Sequence, residues 1–138
     1  MRDVVLEFAN PNRCVIQERP ASFSELLDRL TAIGFEYGAL HGMPFAVDIV
    51  RLDLGRLCVG VGNGQWMLMF HPADEDNEPT LYSLGDVTEA GMVPFYFGDV
   101  SLMSRKYLVA KSDALRVLQG WFEDGELTDA IKWTNKIY

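Results

Sequence analysis

The chain is poor in the residues that build disulfide frameworks and metal sites. Its 138 residues include only two cysteines and two histidines. Cys14 and Cys58 have neither C-x-x-C nor zinc-ligand spacing, so we interpret them as reduced thiols of a cytosolic protein. His41 and His71 lie far apart and belong to no H-E-x-x-H motif. We therefore expect no disulfide, no metal and no other cofactor.

Long hydrophobic runs are also missing. No apolar segment approaches the roughly 18 residues that a membrane helix needs. The chain begins with Met1, Arg2 and Asp3, which carry a charge of each sign, and an alternating segment follows. This beginning does not have the pattern of a secretory signal. We expect a cytoplasmic protein that does not bind membranes.

Basic residues are scarce relative to acidic ones. The chain has 12 lysines and arginines against 20 aspartates and glutamates, for a formal net charge of −8. Nucleic acids and anionic lipids are bound chiefly by clustered basic side chains, so neither is an expected partner. A cationic protein would instead be attracted and steered towards the chain. Solubility alone also explains an acidic composition, and charge does not decide between these two interpretations.

Motifs for catalysis are absent as well. Gly60, Gly62 and Gly64 do not form G-x-G-x-x-G, no Lys-Ser or Lys-Thr follows them, and the next segment has the pattern of a strand. There is no G-x-S-x-G elbow. Nothing in the local sequence pairs either cysteine with a histidine as a nucleophile and its base. We therefore predict that the protein is not an enzyme.

What the chain does contain is the pattern of a single α+β domain over residues 1–138. The expected architecture is a mainly antiparallel, twisted sheet of about six or seven strands packed with two principal α-helices. Asn63-Gly64 predicts a type I′ hairpin, because both turn positions require residues that tolerate positive φ. Strands are predicted at 4–8, 14–17, 45–53, 56–61, 65–71, 80–84 and 93–99, with a short strand or docking segment at 130–133.

Two helices have recognisable ends. Ser22 and Glu25 form a capping box at the start of the first helix, and Gly34 is predicted to end it in a left-handed conformation. The second helix is predicted at 112–124, with Ser112 as its N-cap and Gly125 as its stop.

Two features are candidates for partner binding. The first is a polar stretch between Pro72 and Pro79, which predicts an exposed loop of carboxylates that is either simply solvated or meets a basic partner. It lacks the register of an EF-hand loop. The second is Trp66, in a segment that is apolar on both faces and either packs in the core or contributes to an interface. The loop carboxylates are Asp74, Glu75, Asp76 and Glu78.

The last 60 or so residues resemble a known family. The order of segments is a strand at Leu81-Tyr82, the strand Pro94-Phe95-Tyr96-Phe97-Gly98, a helix opening at Ser112-Asp113-Ala114-Leu115, then Trp121 to Leu127 and Ile131-Lys132-Trp133. This order resembles immunity protein family 1 of bacterial polymorphic toxin systems. The family commonly has a proline between its glycine and its closing tryptophan, where this chain has Thr128, Asp129 and Ala130.

The resemblance implies a bacterial immunity protein of α+β fold. Such a protein binds a cognate toxin, often a nucleic-acid deaminase, and neutralises it one-to-one by covering its active site or substrate groove. The family positions Trp121, Gly125 and Trp133 are implied to be structural. The alternative is a small acidic regulatory or adaptor domain that binds an endogenous protein. Homo-oligomerisation, the toxin's identity and the interface stay open.

Overall fold

The computed structural model of this protein describes residues 4–10, 12–38, 42–62 and 64–138. Within these residues, one sheet of nine strands packs with two α-helices. The predicted α+β class is confirmed, and the sheet has more strands than the number expected. The strands are β1 (Val4–Ala9), β2 (Val15–Glu18), β3 (Phe45–Arg51), β4 (Gly55–Val61), β5 (Leu68–Pro72), β6 (Leu81–Leu84), β7 (Met92–Tyr96), β8 (Val100–Ser104) and β9 (Lys132–Thr134), and the helices are α1 (Phe23–Ile33) and α2 (Lys111–Asp124).

Seven strands form the main path of the sheet. Their order is β2-β1-β3-β4-β5-β6-β9, and all these pairs are antiparallel. β7 joins through a single parallel pair, Phe45 with Tyr96, and β8 pairs antiparallel with β7. The strand predicted at 93–99 is therefore too long, because Gly98 with a φ of +87° turns the chain back. β8 is not among the predicted strands.

The predicted hairpin joins β4 and β5. Val59 lies opposite Leu68, which is the register that a two-residue turn at 63–64 requires. Gly64 has the expected positive φ, at +69°. The type I′ prediction also depends on Asn63, which lies outside the described residues.

The first helix begins as predicted and ends differently. The Ser22 hydroxyl accepts the Glu25 backbone N–H at 3.1 Å, and the Glu25 carboxylate accepts the N–H of Ala21 at 3.2 Å. Gly34, however, has a right-handed φ of −62°, and the chain continues through a π-helical turn at Gly34–Gly38. The predicted left-handed stop is wrong. Glycine is required there for space, since a Cβ on Gly34 would lie 2.9 Å from the backbone nitrogen of Gly62.

The second helix begins differently from the prediction and ends as predicted. Its N-cap is Ala110, which makes no side-chain capping bond, so the prediction of Ser112 as N-cap is wrong. Gly125 does end the helix in the left-handed region, at φ 70°, and its N–H donates to the Trp121 carbonyl at 3.0 Å.

Both helices pack on one face of the sheet and form the main core with it. Trp121 of α2 is 1% exposed, and its indole N–H donates to the Ile49 carbonyl of β3 at 2.9 Å. The β7–β8 hairpin covers part of the other face over a second, smaller core that includes Phe95 and Tyr107. Successive residues of β5 divide between the two cores, since Leu68 belongs to the first and Met69 packs against the second.

Candidate protein-binding surface

The predicted carboxylate loop connects β5 to β6 and is exposed, as expected. Asp74 organises it. Its backbone carbonyl accepts the N–H groups of Asn77 at 3.3 Å and Glu78 at 2.9 Å, and its carboxylate accepts the Asn77 side-chain amide at 3.0 and 3.2 Å. Glu75, Asp76 and Glu78 are left exposed around this turn. The loop therefore presents its negative charge to solvent from a hydrogen-bonded turn.

The turn between β3 and β4 lies against the start of this loop. The N–H of Ala73 donates to the Leu54 carbonyl at 3.1 Å. Leu52 and Leu54 are 70% and 44% exposed, and Asp53 between them is exposed too. Two exposed leucines in a turn beside four carboxylates form an apolar spot within an acidic surface.

The C-terminal end of α2 reaches the same turn. Arg51 donates through Nη1 to the carbonyls of Trp121 at 3.2 Å and Phe122 at 2.8 Å. A Cβ on Gly125 would lie 2.7 Å from Cδ1 of Leu54, so the helix stop packs against the turn.

Three segments thus meet around Leu54, and their exposed residues form one surface that we call the acidic end. The loop residues were predicted from the sequence, whereas the contributions of the β3–β4 turn and of α2 were not. Its members are Asp53, Asp74, Glu75, Asp76, Glu78, Glu123, Asp124 and Glu126, with Leu52 and Leu54 as its apolar residues.

The helix end contributes negative potential of its own. The carbonyl end of a helix carries a partial negative charge, which favours lysine and arginine in the last turn and disfavours acids by about 0.3–1 kcal/mol each. The last turn of α2 contains no basic residue and carries Glu123 and Asp124 instead. Arg51 from β3 compensates by binding two of the carbonyls. Glu123 and Asp124 therefore lie at a position where acidic side chains lower the stability of α2.

Trp66 lies at the other end of β5, so the two predicted binding features are not brought together. It is half-buried and packs against the main core, and its carbonyl accepts the Val109 N–H at 3.0 Å. It also lines a groove of about 690 Å³ between α1, the π-helical turn and the start of α2. Phe35, at the rim of this groove, is 82% exposed.

A smaller cavity, of about 290 Å³, lies on the sheet face that the helices do not cover. Glu7 and Asp48 line it, and both accept hydrogen bonds from Arg56, the latter at 3.1 Å. The side-chain hydrogen bond from Gln17, at 2.8 Å, and then that from Arg56 lower the pKa of Glu7. Glu7 is therefore ionised, and both carboxylates are paired with Arg56, which does not suit them to proton transfer.

Cys58 and His71 line the same cavity. Burial, and then the negative charge of Asp48 and a hydrogen bond to it, raise the pKa of the Cys58 thiol well above its ordinary value. A thiol with a raised pKa stays protonated at neutral pH and is a poor nucleophile. In His71, the Nδ1 atom of the imidazole ring lies 3.4 Å from the Thr80 hydroxyl. Cys58 and His71 therefore do not provide the thiolate that cysteine chemistry requires.

The structurally described part of the chain has no group of three or more His, Cys, Asp or Glu side chains arranged to hold a metal ion. In the same residues, no helix has the length and apolar character needed to cross a bilayer. Comparison with protein-family models finds no family that matches this chain, and comparison with curated proteins finds no match either.

Proposed function

We propose that this protein is a bacterial immunity protein of the cytoplasm that binds a cognate toxin and neutralises it by covering its active site or substrate groove. The observation that carries this proposal is the acidic end, where three segments that are distant in sequence present eight carboxylates around two exposed leucines. The resemblance of the last 60 or so residues to immunity protein family 1 points to the same role.

The charge of this surface fits the chemistry of such a partner. A toxin that acts on DNA or RNA, such as a deaminase, needs a basic groove to bind its substrate. An acidic protein surface is complementary to that groove and accelerates the encounter with it. Carboxylates at the end of α2 lower helix stability, which is expected where a surface is selected for binding rather than for stability.

The exposed leucines supply lasting affinity, which surface charge alone does not. Screened surface charges steer association and contribute little lasting affinity, whereas apolar groups buried at the centre of an interface slow dissociation. Leu54 is placed for this role, because the start of the acidic loop and the end of α2 both contact it, and the exposed Leu52 lies two residues away in the same turn. We propose them as the central contacts. Trp66, at the opposite end of β5, is a separate and secondary candidate.

The family positions fit a supporting role. Trp121 joins α2 to β3 through Ile49, and Gly125 places the helix end against Leu54. Trp133 is half-buried, and its indole N–H donates to the Thr128 carbonyl at 3.3 Å. We propose that these residues position the acidic end and do not themselves contact the toxin.

Neutralising the loop tests the steering role. The variant combines Asp74→Asn, Glu75→Gln, Asp76→Asn and Glu78→Gln. It should lower the association rate constant for the cognate toxin about tenfold at low ionic strength, because it removes charge that attracts a basic surface. Stopped-flow fluorescence with the toxic domain that the proposal expects the neighbouring gene to encode measures the rate, and the difference should shrink as salt is added.

A matched control separates position from net charge. It combines Glu36→Gln, Asp86→Asn, Glu89→Gln and Asp113→Asn, which also removes four negative charges from the net charge of −8. These residues lie in the π-helical turn, in the connection after β6 and in the first turn of α2, away from Leu54. The control variant should bind the cognate toxin with nearly the same association rate constant as the parent. Equal rates for the parent and the loop variant would show that the loop does not steer binding.

A further inference from the structure

The groove beside Trp66 has the size and the lining of a small-molecule site. Its volume is about 690 Å³, and pockets that bind small ligands measure roughly 300–1,000 Å³ and are mostly apolar. Among the described residues that line it, only Thr31 and Lys111 carry a hydroxyl or a charge. The Thr31 hydroxyl already donates to the Leu27 carbonyl at 2.9 Å. The groove therefore offers a ligand an apolar surface and one cation.

The periodicity of two helices aligns the side chains of this groove. Leu27 and Leu30 are three residues apart on α1, and Lys111 and Leu115 are four residues apart on α2, so each pair shares one helix face. All four residues line the groove. On the hairpin side Gly64 lines it without a side chain that would fill the space. The walls are thus set by the packing of regular elements, as in a preformed site.

Two aromatic rings lie along the groove. Phe35, in the π-helical turn after α1, is 82% exposed at the rim. Trp66 lines the same groove and is half-buried. Exposed apolar rings gain free energy when a ligand removes them from water. An apolar chain lying in the groove would cover both of them.

Lys111 gives the groove its charge. It makes no ion pair with any residue that the structure describes, although the chain has 20 acidic side chains. It is the first residue of α2, and the N-cap Ala110 provides no side-chain acceptor, so the positive end of the helix adds to its charge. Asp113, in the same turn, lies 3.9 Å from Arg116. An unpaired cation beside an apolar groove is complementary to a ligand with an anionic head and an apolar body.

We propose that this groove binds a small amphipathic carboxylate, whose anionic group pairs with Lys111 and whose hydrocarbon chain lies against Trp66 and Phe35. A neutral ligand would leave the ammonium group of Lys111 unpaired, and a cationic one would be repelled by it. The groove lies at the end of β5 opposite to the acidic end. This site therefore holds whether or not the proposed toxin binding does.

Decanoate, decanol and decyltrimethylammonium test the ligand class, because they share one chain and differ in head-group charge. Each is titrated below its micelle concentration, and the indole N–H signals are followed by nuclear magnetic resonance. Decanoate should move the signal of Trp66 and leave those of Trp121 and Trp133, which do not line the groove. It should bind about fivefold more tightly than decanol, as expected for an exposed ion pair, and the cation should bind most weakly.

Three exposed positions supply the variants. Lys111→Gln should bind decanoate and decanol equally, since it lacks the cation. Lys132→Gln removes the same charge from β9, outside the groove, and should keep the parent's preference for decanoate. Phe35→Ser should weaken decanoate and decanol alike, by about threefold, because it removes apolar surface from the rim. Melting temperatures establish that each variant is folded.

The result that would overturn the proposal is equally concrete. A Trp66 signal that does not move at millimolar decanoate, equal shifts of all three tryptophans, or an unchanged preference for decanoate in Lys111→Gln would each do so. A parent that ignores decanoate, together with a Phe35→Ser variant that releases the toxin faster, would assign the groove to the toxin and would overturn the proposal too.

Discussion

Replacing Trp121 with alanine is expected to lower the free energy of unfolding by about 3–5 kcal/mol, as for other large buried side chains. Trp121 is 1% exposed, and its ring lies edge-on to Phe70 with the centroids 5.4 Å apart. The substitution leaves a cavity between α2 and the sheet. It also removes the donor to the buried Ile49 carbonyl. Urea denaturation followed by circular dichroism measures the loss.

Trp121→Phe is the matched control. It keeps most of the apolar volume and loses the hydrogen bond to Ile49, so the expected loss is about 1–3 kcal/mol. The folded Trp121→Phe protein should bind the toxin as fast as the parent, because the side chain is buried. An alanine variant that loses less than about 1 kcal/mol would contradict the central role of this residue in the core.

Gly62→Ala is expected to lower the free energy of unfolding by about 2–4 kcal/mol, from backbone strain and a steric clash together. Gly62 has a φ of +98°, which L-residues rarely adopt. A Cβ there would also lie 2.8 Å from the carbonyl oxygen of Gly34, so the end of α1 would have to move away from β4. The same urea titration gives the value.

Gly64→Ala separates these two causes. Its φ is +69°, and a Cβ on it would have no atom within 4 Å, so it bears strain without a clash. The expected loss is about 1–2 kcal/mol. If both alanine variants lost the same stability, the contact between Gly34 and Gly62 would not be a tight one.

The sequence predicted the fold well where the signal was local. The capping box of Ser22 and Glu25 and the left-handed stop at Gly125 involve bonds between residues close in sequence. The prediction for Gly34 was wrong because glycine is needed there for its close contact with Gly62, and no local sequence pattern reveals that contact. Ser112 misled it because a serine near a helix start is only a preference, and the helix begins one residue earlier than predicted.

The candidate site, too, was predictable from the sequence only where the signal was local. The exposure of the acidic loop was predictable, because prolines border it and its residues are polar. That Asp53 and Glu123 join it depends on contacts around Leu54 between segments far apart in the chain. A sequence signal for part of this surface did exist, since a turn containing both Leu52 and Leu54 is unusually apolar.

The most direct test of the proposed function is complex formation with the toxic domain that this proposal expects the neighbouring gene to encode. Both proteins are produced together, and native mass spectrometry of the purified sample gives the stoichiometry while growth of the producing cells reports neutralisation. We expect a one-to-one toxin-to-chain ratio and normal growth, with growth arrested when this chain is left out. No complex and no protection, or a neighbouring gene of ordinary metabolism and an endogenous binding partner, would contradict the immunity role and favour the adaptor alternative.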